Sequence, residues 1–363
     1  MFSFQELNQV HLEITTRCQA SCPMCSRNYH GGLDNPNLKL ADWTFNDFQT
    51  IFNSKLIAQL SGVYFCGNFG DPIINKDLQK MCLYLTDKKH TMSVRIHTNG
   101  SAQSTNWWNN LPSCLPKDHV VVFGIDGLED THSIYRIGTD FNQILKNAKA
   151  FIEAGGIAEW VFIKFKHNEH QVEEAKKLAA SIGFQRFSVK NSSRFLTDDR
   201  FPVLKSDGSV DYYLEPPTEN NIVFVTKDLV KKIDQWIENV DIDCYVLKNK
   251  ELYIDAHKTL WPCCFLASTP YNHNKSDSLI FDLKNRALEE FNSLVNDLGG
   301  LEKLNLLKHS LQEIIQSPEW QTIWQEKWKN KQLLVCAKTC GKSNINNFSK
   351  PSEQIVERLN LQN

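Results

Sequence analysis

Residues 10–28 read VHLEITTRCQASCPMCSRN. A short apolar run, a candidate strand over 10–15, passes into a loop carrying Cys18, Cys22 and Cys25 at the spacing C-x-x-x-C-x-x-C. No fourth cysteine lies within reach of that loop. A structural zinc site closes with four ligands, commonly in C-x-x-C pairs, and three thiols after one strand match it poorly. An iron–sulfur cube takes cysteine thiolates on its irons. With three cysteines one iron keeps an open position, as a catalytic metal does.

Outward from this loop, strand-like and helix-like runs alternate as far as residue 193. The other candidate strands are GVYFC (62–66), MSVRIHT (92–98), HVVVFGI (119–125), EWVFIKF (159–165) and RFSVK (186–190). Helical patterns lie between them, among them FNQILKNAKAFIEAG and HQVEEAKKLAASIG. Such alternation implies parallel strands with crossover helices, an α/β class. Six units make either a partial barrel or a doubly wound sheet, and the pattern alone leaves both open.

From about residue 195 the rhythm breaks, and RFLTDDRFPVLKSDGSVDYYLEPPTENN, rich in turn formers, reads as an irregular linker. A hairpin is expected at ELYIDAHKTLWPCC, followed by a long helical region over about 281–332. The expected division is a barrel over 1–194, a linker over 195–240 and a small cysteine-bearing domain over 241–363.

The whole chain has 363 residues, 41% hydrophobic and 23% charged, and a net charge of −2. These values fit a globular protein with a real core, and no global basic field advertises nucleic acid or anionic membrane. No run approaches the ~20 apolar residues a membrane helix needs. MFSFQELNQV shows neither the basic nor the apolar region of a signal peptide. Eleven cysteines without an export signal point to a reducing compartment, so a cytoplasmic protein is expected.

The three-cysteine loop resembles the signature of the radical S-adenosylmethionine (radical SAM) superfamily. The resemblance implies a partial, TIM-like (β/α)6 barrel. It also implies a [4Fe–4S] cluster on Cys18, Cys22 and Cys25 whose open iron takes S-adenosylmethionine (SAM). Met24 corresponds to the family position whose backbone contacts the adenine. GNFGDP (67–72) resembles the family's glycine-rich segment, with Asn68 and Phe69 interrupting the glycines and Asp71 replacing the usual glutamate. Gly67, Asn68, Gly70 and Asp71 are the cofactor candidates there. HTNG (97–100) and GIDG (124–127) resemble segments near the SAM ribose and methionine, which adds Thr98, Asn99 and Asp126. Gly124 stands where the family often has serine, and an arginine placed like Arg136 can approach the SAM carboxylate.

In the C-terminal third, Cys244, Cys263, Cys264, Cys336 and Cys340 resemble the Twitch module, a shortened relative of SPASM domains. This implies one auxiliary [4Fe–4S] cluster on Cys244, Cys263, Cys336 and Cys340, with Cys264 able to replace Cys263. Zinc remains open as the centre, since four thiolates bind either. Cys66, Cys82 and Cys114 read as buried small hydrophobes, although Cys66 leads into the glycine-rich turn.

Strand parity gives the substrate reading. If Lys164 and Lys166 in strand five, Lys190 in strand six and His97 in strand three face the cavity, its lining is basic and suits an anionic ligand. Interior acids such as Glu13 could instead pair with these lysines. The expected activity is reductive SAM cleavage and hydrogen abstraction from a small anionic molecule, with an electron donor such as flavodoxin or ferredoxin. A peptide-maturing enzyme, an RNA-modifying radical enzyme and a non-catalytic iron–sulfur carrier are the alternatives. Neither a membrane nor nucleic acid is expected as a partner.

Overall fold

The computed structural model describes residues 1–192, 194–195, 199–219, 230–271, 278–329, 333–342 and 355–359. Six strands carry the first half: β1 (Gln9–Leu12), β2 (Gly62–Phe65), β3 (Ser93–Thr98), β4 (His119–Gly124), β5 (Ala158–Lys164) and β6 (Arg186–Asn191). Each pairs in parallel with the next in chain order. A doubly wound sheet would reverse its strand order at a switch point. This order never reverses, and β1 does not pair with β6, so the sheet is a partial barrel.

The helices on its outer side follow ordinary rules. In Phe141–Glu153 the buried Ile144, Ala148 and Phe151 recur at helical spacing, and the Asp140 side chain caps the helix by accepting from the Gln143 N–H. Val172–Ile182 ends at Gly183, whose φ of 103° suits a residue without Cβ. Trp43, Trp108 and Trp160 are fully buried between strands and helices.

Later segments close the open edges. Further strands are β7 (Phe201–Leu204), β8 (Val210–Leu214), β9 (Glu251–Ile254), β10 (Leu260–Trp261) and β11 (Ile355–Arg358). The expected C-terminal hairpin is β9–β10, and β9 runs parallel to β1, extending the barrel sheet. β11 pairs antiparallel with β6 at the other edge. Trp261, Phe291 and Trp320 share one core with the barrel's outer layer. The long helical region breaks into Ser278–Asp297, Leu311–Gln316 and Pro318–Lys329, with Gly299 and Gly300 at positive φ after the first helix. Residues 330–332 of the expected helical region lie outside the described residues.

Two expectations are corrected. The segment read as an irregular linker contains the β7–β8 hairpin, closed by a turn in which Asp207 Oδ1 accepts from the Ser209 N–H at 2.8 Å. Residues 196–198 and 220–229 of that linker lie outside the description. The parity of β5 is also reversed: Trp160 and Phe162 face the helices, against Phe184 and Phe187, while Ile163 turns inward. Aromatic bulk packs best under the helix layer, so the rings rather than the lysines set which face is buried.

Candidate functional site

The cysteine loop leaves β1 at the open end of the barrel and rests on its own small core. Cys22 and Met24 are buried there with Ala20, Tyr135, Phe165, Phe195, Val203 and Leu214. The β7–β8 hairpin therefore holds the loop down. A Cβ on Gly32 would lie 2.1 Å from the Leu204 carbonyl oxygen, so only glycine permits this approach. The Tyr212 hydroxyl donates to the Ile134 carbonyl at 2.6 Å. Met24 is pinned twice: its carbonyl accepts from Arg194, and its sulfur lies 3.3 Å from Ser192 Oγ.

The thiols meet donors. Asn99 Nδ2 donates to Cys18 Sγ at 3.5 Å, and Arg136 Nη1 stands 4.0 Å from Cys22 Sγ. Burial drives the Cys18 thiol upward, reinforced by Asp71 and the other two cysteines. The Cys22 thiol is pushed up to about 11 by burial, with Arg136 opposing. Donors thus face Cys18 and Cys22, and burial that resists ionisation of these thiols is what a positively charged metal centre offsets.

The glycine-rich turn is wired into the protein. Glu13 Oε1 accepts from the N–H groups of Phe69 (2.8 Å) and Gly70 (3.1 Å), and its other oxygen accepts from the Tyr253 hydroxyl. A Cβ on Gly70 would fall 1.9 Å from the Thr15 carbonyl oxygen, and one on Gly67 would fall 2.2 Å from that of Gly70. Asn68 Nδ2 donates to the Cys264 carbonyl at 2.9 Å, away from the cysteine loop. Asp71 is buried and accepts from Thr98 Oγ1 (3.0 Å), Asn99 N–H (2.7 Å) and Ile73 N–H (3.2 Å). Burial raises its carboxyl to about 6. Asn99 then joins the turn to the loop, since its Oδ1 accepts from Gln19 at 2.7 Å.

Asp126 is fully buried; its Oδ2 accepts from Arg136 Nε and its Oδ1 from the Ile163 N–H, both at 2.6 Å. The missing Cβ of Gly124 makes room for the same guanidinium: a Cβ there would meet Arg136 Nη2 at 2.6 Å. This accounts physically for glycine at a position where a hydroxyl was expected.

Of the four basic candidates, two reach the inner face. Lys166 is exposed and pairs with Glu215 beyond the end of β5. Lys164 shares the outward parity of Phe162 and faces Glu169. Neither lies on the inner face: Lys164 follows the outward parity of β5, and Lys166 stands beyond its end. Lys190 points inward toward Cys66, Asp126 and Glu159. His97 packs edge-on against Tyr64 at 4.8 Å between ring centroids, and burial lowers its imidazole to about 3, with Lys190 and Arg95 adding to the effect.

Cys244, Cys263, Cys336 and Cys340 line one pocket, with Ile242, Val246, Leu266 and Val335 as apolar walls. Cys264 is not in that lining; its sulfur lies 4.0 Å from the Tyr245 hydroxyl. The Cys340 thiol hydrogen-bonds Cys244, which holds the Cys244 thiol below its ordinary range. Among the described residues, no three cysteine, histidine or carboxylate groups already close on a single ion. Three thiols around one loop and four around one pocket fit multi-iron clusters, in which each thiolate has its own iron.

Sequence reasoning passed over Glu13, Tyr253 and Arg194 as positioning residues. A glutamate inside an apolar strand run was the available signal for Glu13. Nothing local marked the other two, whose partners lie 240 and 170 residues away.

No protein-family model matches the chain. A curated relative, the tungsten-containing aldehyde ferredoxin oxidoreductase cofactor-modifying protein of Pyrococcus furiosus, is 24% identical over 214 residues, covering 56% of this chain and 57% of its own length. Among solved structures, native anSMEcpe with bound AdoMet superposes with a TM-score of 0.52 at 12% identity, covering 92% of this chain and 89% of that one. The same protein with AdoMet and the Kp18Cys peptide gives 0.50, again at 12% identity, 92% and 89%. Streptococcus suis SuiB bound to S-adenosylmethionine gives 0.48 at 15% identity, covering 76% of this chain and 64% of that one. The chain thus spans less than two thirds of the curated relative and of SuiB. The anSMEcpe likeness shows the fold, an α/β partial barrel. Among the described residues no helix is long and apolar enough to cross a membrane.

Proposed function

We propose that this protein is a radical SAM enzyme acting on a small anionic molecule. In this reading Cys18, Cys22 and Cys25 hold a [4Fe–4S] cluster, and Cys244, Cys263, Cys336 and Cys340 hold an auxiliary one. The observation that carries it is the placement of the C-x-x-x-C-x-x-C loop at the open end of a sequentially wound partial barrel, with Asn99 and Arg136 reaching its thiols. Bound AdoMet in a structure of the same fold supports it. When loaded, the first cluster would supply one-electron cleavage of SAM to a 5′-deoxyadenosyl radical, using an electron from a donor such as flavodoxin or ferredoxin.

The chain's own residues then have definite tasks. Arg136 is held by Asp126 so that its remaining N–H groups face the cysteine loop, where a carboxylate could pair with them. The turn from Gly67 to Asp71 offers backbone at close range, and Glu13 and Asp71 fix its shape from both sides. Met24, under Arg194, presents its backbone on the same loop. The auxiliary pocket, closed by four thiols, suits electron transfer more than substrate binding.

The test is anaerobic reconstitution. About eight irons per chain, an altered electron paramagnetic resonance spectrum on adding SAM, and 5′-deoxyadenosine formed with dithionite are expected. Full iron loading with no SAM-dependent spectral change would overturn the reading and leave an iron–sulfur carrier. A second reading, peptide modification, is favoured by the peptide held in one structure of this fold.

A further inference from the structure

The inner face of β3 to β6 carries polar groups that the cysteine loop does not use. Ser188 Oγ is fully buried on the inward parity of β6 and has no hydrogen-bond partner among the described residues. Lys190, two residues on, shares that parity. Its ammonium makes no ion pair or hydrogen bond with any described residue.

The acids Lys190 faces are already engaged. Both oxygens of Asp126 are taken by Arg136 and the Ile163 N–H. Glu159 accepts from Arg95 at 3.1 Å and from Arg186 at 2.7 Å. Arg95, Arg186 and Lys190 therefore outnumber the one carboxylate, Glu159, and although the two arginines are partly exposed the local field favours an incoming anion. The imidazole of His97 also has no hydrogen-bond partner among the described residues. Tyr64, Cys66, His97 and Lys190 each keep partial exposure, so the region is reachable from within the barrel.

We propose that Lys190 and His97 bind the anionic end of a small-molecule substrate, a carboxylate or a phosphate. Lys190 Nζ forms the ion pair, and an N–H of the His97 ring donates a hydrogen bond. The anion so held directs the rest of the molecule toward the cysteine loop. The word substrate rests on the radical SAM reading; the anion site itself does not.

The probes are inorganic phosphate and acetate, added to the SAM-loaded, reconstituted full chain, with binding followed by ³¹P and ¹³C line broadening. The wild type is expected to bind at least one probe. Lys190→Met should weaken that binding at least about tenfold, His97→Phe about threefold, and Lys190→Arg less than about threefold. Phosphate alone identifies a phosphate ester, and acetate alone a carboxylate. Lys190→Met breaks no ion pair and should melt no lower than the wild type; Lys190→Gln provides a second variant. Lys166→Met, on the surface, should change nothing.

No binding of either probe, or equal binding by wild type and Lys190→Met, overturns the proposal. So does a loss of SAM affinity in Lys190→Met as large as its loss of probe affinity. The same titration on the chain before reconstitution separates the two readings. Lys190-dependent binding without SAM cleavage would sink the catalytic reading and leave the anion site standing.

Discussion

The guanidinium of Arg136 occupies the space where a Cβ on Gly124 would stand, 2.6 Å from Nη2. The arginine cannot easily retreat, because its Nε is fixed to the buried Asp126 at 2.6 Å. Gly124 lies in an extended strand, so Gly124→Ala should fold, with melting within a few degrees of the wild type. It should push the guanidinium away from Cys22 and weaken SAM binding by about tenfold, read by equilibrium dialysis. Arg136→Met should do the same, and the double variant should be no worse than Arg136→Met alone. Additive losses would show that Gly124 acts through something other than Arg136.

The C-terminal pocket separates two adjacent cysteines. Cys263 lines it with Cys244, Cys336 and Cys340, whereas Cys264 packs toward the Tyr245 hydroxyl. Cys263→Ala should lower the iron content of the reconstituted chain by about four atoms. Cys264→Ala should leave iron content unchanged and act only as the loss of a small buried side chain. The reverse pattern would move the ligand by one residue.

The six barrel strands were legible because each is a local period between turn signals, and the cysteine loop because its spacing is contiguous. Three features were not. The β7–β8 hairpin was hidden by Pro202 and by a turn rich in Ser, Asp and Gly, which read as a linker. The inner and outer faces of β5 could not be told apart by polarity, since a parallel strand is buried on both sides. Lys164 and Lys166 lie at and beyond its end, where alternation no longer reports on the cavity. The bracing of Glu13 by Tyr253 joins residues 240 apart, and no local pattern encodes such a pair.

Glu13 should give folding stability a pH slope. Burial raises its carboxyl to about 7 against an ordinary value of 4.5, despite hydrogen bonds from Tyr253, Phe69 and Gly70. Between these values the folded chain holds more protons than the unfolded one. Stability contributed by this group is therefore full below the unfolded value and is lost as pH rises through about 7. Glu13→Gln keeps an acceptor for the Phe69 and Gly70 N–H groups and lets the Tyr253 hydroxyl accept. Denaturant melts from pH 5 to 7.5 should show the wild type losing stability relative to the variant, by about 2 kcal/mol across the range, whatever slope other buried groups give to both. An unchanged slope would place the titration elsewhere.

Asn68 joins the glycine-rich turn to the backbone beside the C-terminal pocket. It sits in the turn from Gly67 to Asp71, yet its Nδ2 donates to the carbonyl of Cys264 at 2.9 Å and to the Tyr253 hydroxyl at 3.3 Å. Phe69 adds a ring contact with Tyr271 at 4.9 Å, on the same stretch after Cys263. Asn68→Asp is nearly isosteric but sets a carboxylate oxygen against the Cys264 carbonyl, replacing attraction by repulsion in a partly buried place. The variant should load iron in the three-cysteine loop as the wild type does, because Asn68 does not touch that loop. It should bind SAM about three- to tenfold more weakly and lose auxiliary iron faster to a chelator. Asn68→Ala, which removes the bond without adding a charge, should show the same two changes in smaller measure. If SAM affinity falls while auxiliary iron is retained at the wild-type rate in both variants, the turn and the C-terminal pocket are not mechanically joined through this amide.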